Sequence, residues 1–222
     1  MNRARTPITV EIISDAICPW CWIGKRHLEG AAELLAGEIV ITPVWKPFEL
    51  NPDMPKAGVE RSAYRLRKFG SLDFSRHLDA QVAEKGRAAG LDFRHDLMKW
   101  TPNTIDCHRL IWFAGQRGVQ NALVEGLFRA YFSEGKNIGD WRVMAEIAEA
   151  SGLDRAEVER VLTSGDGSEE VARELARARE LGVSGVPTFV IRGEPVFSGA
   201  VPPETLARAI AGQAASRGGS LA

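Results

Sequence analysis

The sequence predicts an α/β fold in which one sheet is assembled from the two ends of the chain around a large all-helical insertion. Three observations carry this. A β-branched run, a helical stretch and a second β-branched run follow one another between residues 8 and 45. From about Arg61 to Leu181 the apolar residues recur with helical period. Strand character then returns at Thr188–Ile191 and is followed by one last helix. Neither end has strands enough for its own sheet, so the two must pair, giving a βαβ … ββα layout. The sheet-bearing part is expected to cover residues 1–55 and 182–222, and the helical insertion residues 56–181.

Ile8–Ile13 is mostly apolar and β-branched, as a strand covered on both faces should be. After a turn through Ser14–Ile17 come Cys18, Pro19, Trp20 and Cys21. Pro19 suits the first turn of a helix, where its missing N–H costs nothing. That helix is expected to reach about Leu35, with Ile23, Leu28, Ala31, Leu34 and Leu35 inward, and to stop at Gly37. Ile39–Trp45 reads as a second strand, with Pro43 marking an edge or a bulge. Strand, helix, strand at this spacing is a βαβ unit with a right-handed crossover. The middle block is read as helices at 60–69, 73–90, 103–118, 119–134, 140–151, 154–164 and 167–181, with Gly118, Gly135 and Gly152 at helix ends. Thr188–Ile191 and Val196–Gly199 form a hairpin about a turn at Arg192–Pro195. The last helix runs from about Pro203 to Ala215, and the tail from Ser216 is expected to be loose.

Composition narrows the function classes. Of 222 residues, 45% are hydrophobic and 26% charged, and the formal net charge is −1, so no general electrostatic case exists for nucleic acid or an anionic membrane as partner. Charges interrupt every apolar run before it could span a bilayer. Residues 1–7 hold two arginines with no apolar core behind them, so no secretory signal is read and the expectation is cytoplasmic. Three cysteines, Cys18, Cys21 and Cys107, are too few and odd in number for a structural disulfide framework.

Two of them form a C-x-x-C pair. The thiolate is the nucleophile of disulfide exchange, and a cysteine at a helix start meets free backbone N–H groups and the positive end of the helix dipole. Cys18 is therefore read as the exposed attacking thiol. Cys21, one turn later, can return to resolve a mixed disulfide. Trp20, between them, offers an apolar contact to a peptide-like substrate. Zinc would need further ligands. There is no second pair, His27 follows too soon on the same helix, and His77, His95 and His108 lack ligand spacing. No metal is expected. Two cysteines met by chance in a core helix is the third reading, against which the preceding strand and the intervening proline weigh. Downstream, Gly185-Val186-Pro187-Thr188-Phe189 sets a proline directly before a strand, and base rates alone favour a trans bond there.

Ser14 to Lys25 (SDAICPWCWIGK) together with Gly185 to Phe189 resembles the DsbA family of thioredoxin-like oxidoreductases. Asn103 to Leu110 (NTIDCHRL), Ala130 to Gly135 and Val196 to Ala200 resemble in particular its FrnE-like subgroup. The resemblance spans nearly the whole chain. It implies a thioredoxin-like fold with a helical insertion, dithiol–disulfide exchange through Cys18 and Cys21, and a cis Val186–Pro187 bond facing them. Val186 would pair with the substrate backbone, and Trp20, Val186 and Pro187 would form the substrate site. It implies no bound cofactor, with glutathione as a candidate redox partner, and a disulfide-containing protein or small thiol as substrate. Oligomeric state stays open. Kappa-class glutathione transferases and hydroxychromene carboxylate isomerases resemble the chain too, but typically carry serine where Cys18 stands. A non-enzymatic holdase using Trp20 and Trp22 as an apolar patch is the alternative of another class. Cys107 departs from the subgroup, where a small residue is expected. It shares an apolar stripe with Leu110, Ile111 and Ala114 and is read as a buried thiol. His108 and Arg109 are read as a solvated helix face, which the resemblance draws toward the cleft.

Overall fold

The computed structural model describes residues 5–215; the tail from Ser216 lies outside them. Its main sheet has four strands in the order β2-β1-β5-β6. They are β1 (Thr6–Ser14), β2 (Ile39–Pro47), β5 (Thr188–Ile191) and β6 (Glu194–Ser198). β1 runs parallel to β2, β5 antiparallel to β1, and β6 antiparallel to β5. The two chain ends do build one sheet, because β1 finds its second neighbour only in β5, nearly 180 residues on. α1 (Pro19–Leu34) crosses between β1 and β2, and α9 (Pro203–Ala215) follows β6 and packs on α1.

Two of the prolines inside strands stand at sheet edges, where a missing N–H is tolerated. Pro43 lies in β2 and Pro195 in β6, the two edges of the sheet. The hairpin turn is tighter than expected. Arg192 (φ 55°) and Gly193 (φ 82°) make the whole connection, while Glu194 and Pro195 already belong to the strand. Leu34, read as inward, is 59% exposed, because it falls off the Leu28–Ala31–Leu35 row that meets the sheet.

Between β2 and β5 stand a two-stranded ribbon, β3 (Val59–Glu60) with β4 (Trp100–Thr101), and the helices α2 (Arg61–Phe69), α3 (Leu72–Ala88), α4 (Ile105–Gln116), α5 (Gln120–Phe132), α6 (Trp141–Ala150), α7 (Arg155–Thr163) and α8 (Ser168–Glu180). Their ends lie within two residues of the expected ones; two-residue strands are too short to leave a pattern. The core runs without a break from the sheet into this block. Ile12, Ile23, Trp22, Phe128, Phe132 and Phe189 belong to one buried cluster. On the opposite face of the sheet Ile13 and Val190 pack against Ala178 of α8, and Glu11 on that face pairs with Arg177 (2.7 Å). The alternation in β1 thus decides which side chains meet α1 and which meet α8. The end of β1, the start of α1 and the loop before β5 converge at one place.

Candidate functional site

Cys18 is the N-cap of α1 (φ −92°, ψ 112°), with Pro19 first in the helix. Its N–H donates to the Asp15 carbonyl (3.0 Å) and its own carbonyl accepts from the Cys21 N–H (3.1 Å). A hairpin of backbone thereby places both sulfurs at the start of the helix. All three cysteines are free thiols. Cys21 is fully buried, and burial first, then the Cys18 thiol beside it, pushes its pKa well up, against opposing hydrogen bonds from Ser14 and Asp15. Cys21 therefore holds its proton at neutral pH until its partner changes.

Cys18 is not the exposed thiol expected. It is 4% exposed. The loop before β5 covers it: the Val186–Pro187 peptide is cis, and the Cys18 Sγ donates to the Val186 carbonyl at 3.5 Å. Val186 and Pro187 thus stand against the thiol from 168 residues away. Trp20, by contrast, is 40% exposed on the rim. One further residue shapes the contact. A Cβ on Gly24 would lie 2.8 Å from Pro187 Cγ and 3.4 Å from Phe189, so only glycine lets the loop seat this closely on α1. Gly24 stands in the motif, but its role depends on a partner the local sequence does not reveal.

The DSBA-like thioredoxin domain family matches residues 9–211, from within β1 to within α9. The chain belongs to that family. Among solved structures it is similar to a probable DsbA oxidoreductase of Streptomyces coelicolor, with 31% identity, a TM-score of 0.84, and 93% of this chain and 89% of that one covered. A 2-hydroxychromene-2-carboxylate isomerase shares the fold at 18% identity and TM-score 0.71, covering 95% and 98%. The cytosolic disulfide reductase DsbM of Pseudomonas aeruginosa, solved with glutathione, shares it at 18% identity and TM-score 0.61, over the same shares.

In this DsbA-like chain the remaining sequence candidates fall elsewhere. Trp22 is buried, stacked on Phe128 and Phe132 and edge-on to Phe93, with its indole N–H toward Glu125. It cannot join Trp20 in an apolar surface patch. His108 and Arg109 are neither solvated nor in the cleft. The Arg109 guanidinium binds the Asp106 carboxylate and the carbonyls of Val161, Ser164 and Asp166, closing the end of α7. His108 Nε2 lies 2.9 Å from the Phe48 carbonyl and 3.7 Å from the Asp15 carboxylate. Asp15, fully buried, accepts from the Leu50 N–H (2.7 Å) and thereby ties the loop after β2 to the turn that presents Cys18. Asp15 was visible only as a turn residue; its burial needs α4 and the 48–50 loop. Cys107 lies inside α4, fully buried, donating to the Ile138 carbonyl (3.2 Å) beside Met144. Burial raises its pKa far above the ordinary thiol range.

Proposed function

We propose that this protein is a dithiol–disulfide oxidoreductase with Cys18 as nucleophile and Cys21 as resolving thiol. The single observation that supports it most is the pairing of an N-cap cysteine with a second free thiol one turn on, beneath the Val186 carbonyl. In the reducing direction the Cys18 thiolate attacks one sulfur of a substrate disulfide. The S–S bond breaks, the other sulfur leaves and takes up a proton, and a Cys18–substrate mixed disulfide remains. Cys21 then gives up its proton and attacks Cys18, releasing the second substrate thiol. Two electrons and two protons pass to the substrate, and Cys18–Cys21 is left as a disulfide; the reverse sequence oxidises a dithiol. An incoming backbone would occupy the Val186 edge as an added strand, with Trp20 as the flanking apolar contact.

Glutathione is the proposed reductant of the spent disulfide, as DsbM, solved with it, suggests. Chemistry that merely activates a glutathione thiol, as in the isomerase-like alternative, gives no work to Cys21. The subgroup assignment, FrnE-like, rests on the sequence signatures quoted above. The test is insulin reduction with glutathione as electron donor. The native protein should turn over. Cys21→Ser should accumulate a mixed disulfide on Cys18, seen by mass spectrometry. Adducts on Cys21 in Cys18→Ser would reverse the roles, and suppression of insulin aggregation without reduction would point to a holdase instead.

A further inference from the structure

Ile17 and Pro19, the chain neighbours of Cys18, form one wall of a cavity of about 120 Å³ whose opposite wall is α2. The nine residues of α2 carry Arg61, Arg65, Arg67 and Lys68 and no acid, in a chain whose net charge is −1. Arg61, Arg65 and Lys68 line the cavity, with Tyr64 between them. Arg61 is the first residue of its helix, the end at which the dipole disfavours a cation, so helix stability does not account for its place there.

The cations are held rather than loose. Asp79 of α3 takes Arg61 Nη2 (2.8 Å) on one oxygen and Arg65 Nη2 (2.7 Å) on the other, and Arg65 Nε donates to Ser75 Oγ (2.6 Å). The Lys68 ammonium donates to the Tyr64 hydroxyl (2.7 Å) and lies over the Tyr64 and Phe69 rings. From α5 the cavity is faced by Tyr131, whose pKa burial raises, and from the segment before β4 by His95, whose pKa burial lowers, so both are uncharged at neutral pH. Three cations therefore face a single carboxylate. Burial lowers the pKa of Arg65; the Asp79 carboxylate opposes this and the Arg61 cation adds to it.

We propose that this cavity is an anion subsite that receives a carboxylate of the disulfide substrate. The preferred substrates are then disulfides with a carboxylate on, or next to, the residue whose sulfur is exchanged, because the cavity begins one residue to either side of Cys18. The inference rests on the oxidoreductase reading of Cys18 and Cys21 and narrows it. The subsite makes and breaks no bond; the exchange is the two-electron, two-proton sequence given above. A small thiol disulfide with free carboxylates and a peptide with Asp or Glu beside its cysteine present the same chemistry.

The test uses the full-length reduced protein and four disulfides: oxidised glutathione, its fully esterified form, and matched peptide disulfides with Glu or Lys before the cysteine. In kcat/KM the acidic member of a pair should lead by about five- to tenfold, mostly through KM, and the lead should shrink at high ionic strength. Arg61→Gln should lower that ratio. Lys68→Glu, at an exposed position that folding does not need, should bring it to about one or invert it. A lead in the glutathione pair alone assigns the site to small thiols, and a lead in the peptide pair alone to acidic peptides; either supports the subsite. Equal rates within both pairs would overturn the subsite and leave the Cys18–Cys21 reading standing. Turnover of none of the four would bring down that reading and the subsite with it.

Discussion

Two places in this molecule bury a thiol beside a backbone carbonyl, and exchange is proposed at only one of them. Cys18 is the N-cap of α1, with Val186 O at 3.5 Å and Cys21 one turn away. Cys107 is the third residue of α4, with Ile138 O at 3.2 Å and Met144 for company. Burial is similar at both, 4% and 0% exposed, so burial does not separate them. The backbone does. Cys18 is itself the N-cap, in extended conformation, whereas Cys107 is already the third residue of α4, in helical conformation, and its sulfur is turned to the Ile138 carbonyl. The second difference is a neighbour: Cys18 has a thiol that can take over its bond, and Cys107 has a thioether that cannot.

The largest expected effect breaks the comparison outright. Cys18→Ser should abolish insulin reduction, whereas Cys107→Ala should keep turnover within about twofold, because a buried small hydrophobe is all that is lost. A large loss of activity in folded Cys107→Ala would mean a three-thiol relay and erase the distinction. Alkylation of the reduced protein at pH 7 should sharpen it further, with mass spectrometry finding the label on Cys18 well before Cys21 or Cys107. Early label on Cys107 would show that its enclosure opens.

Gly24 tests whether the reactive thiol depends on close seating of the 185–187 loop. Gly24→Ala forces a methyl against Pro187 and should cost roughly 1–3 kcal/mol in urea unfolding, with slower exchange. Gly37→Ala, where a new Cβ meets nothing within 4 Å, is the matched control and should change stability by less than about 0.5 kcal/mol. Equal effects at the two positions would remove the argument for the seat.

Cys107→Ala should itself cost about 1 kcal/mol, the scale of one small buried group. The smallest effect is in pH. Burial raises the pKa of Cys21 and Cys107, so unfolded thiols lose their protons first, from about pH 8.5. Stability from these groups is whole below that pH and drains away as pH rises toward the folded values. The urea midpoint should fall between pH 7 and pH 10, and fall less in Cys107→Ala. A midpoint that does not move would say that the enclosure of these thiols is looser than the structure has it.

Sequence alone determined what local chemistry can determine. The β-branched runs and the period of the middle block gave the main strands and the helices, and the C-x-x-C pair behind a strand, with proline after the first cysteine, placed two thiols at the start of α1. Edge placement of Pro43 was legible as well, because a residue without an N–H can stand only where no partner strand needs one. Tertiary structure decided what depends on residues far apart in the chain. Cys18 is covered, not exposed, because a loop 168 residues away lies on it. Trp22 and Trp20, two residues apart, go to opposite fates because α1 meets the aromatic rings of α5 on one side and solvent on the other. His108 and Arg109 are polar residues of a kind usually found at a surface, yet Phe48, Asp15 and the end of α7 supply buried partners that no local pattern announces. The physical reason is common to all of these. Periodicity reports which face of an element is apolar, but the burial of a polar or reactive group depends on the partner that meets it, and that partner is chosen by the fold.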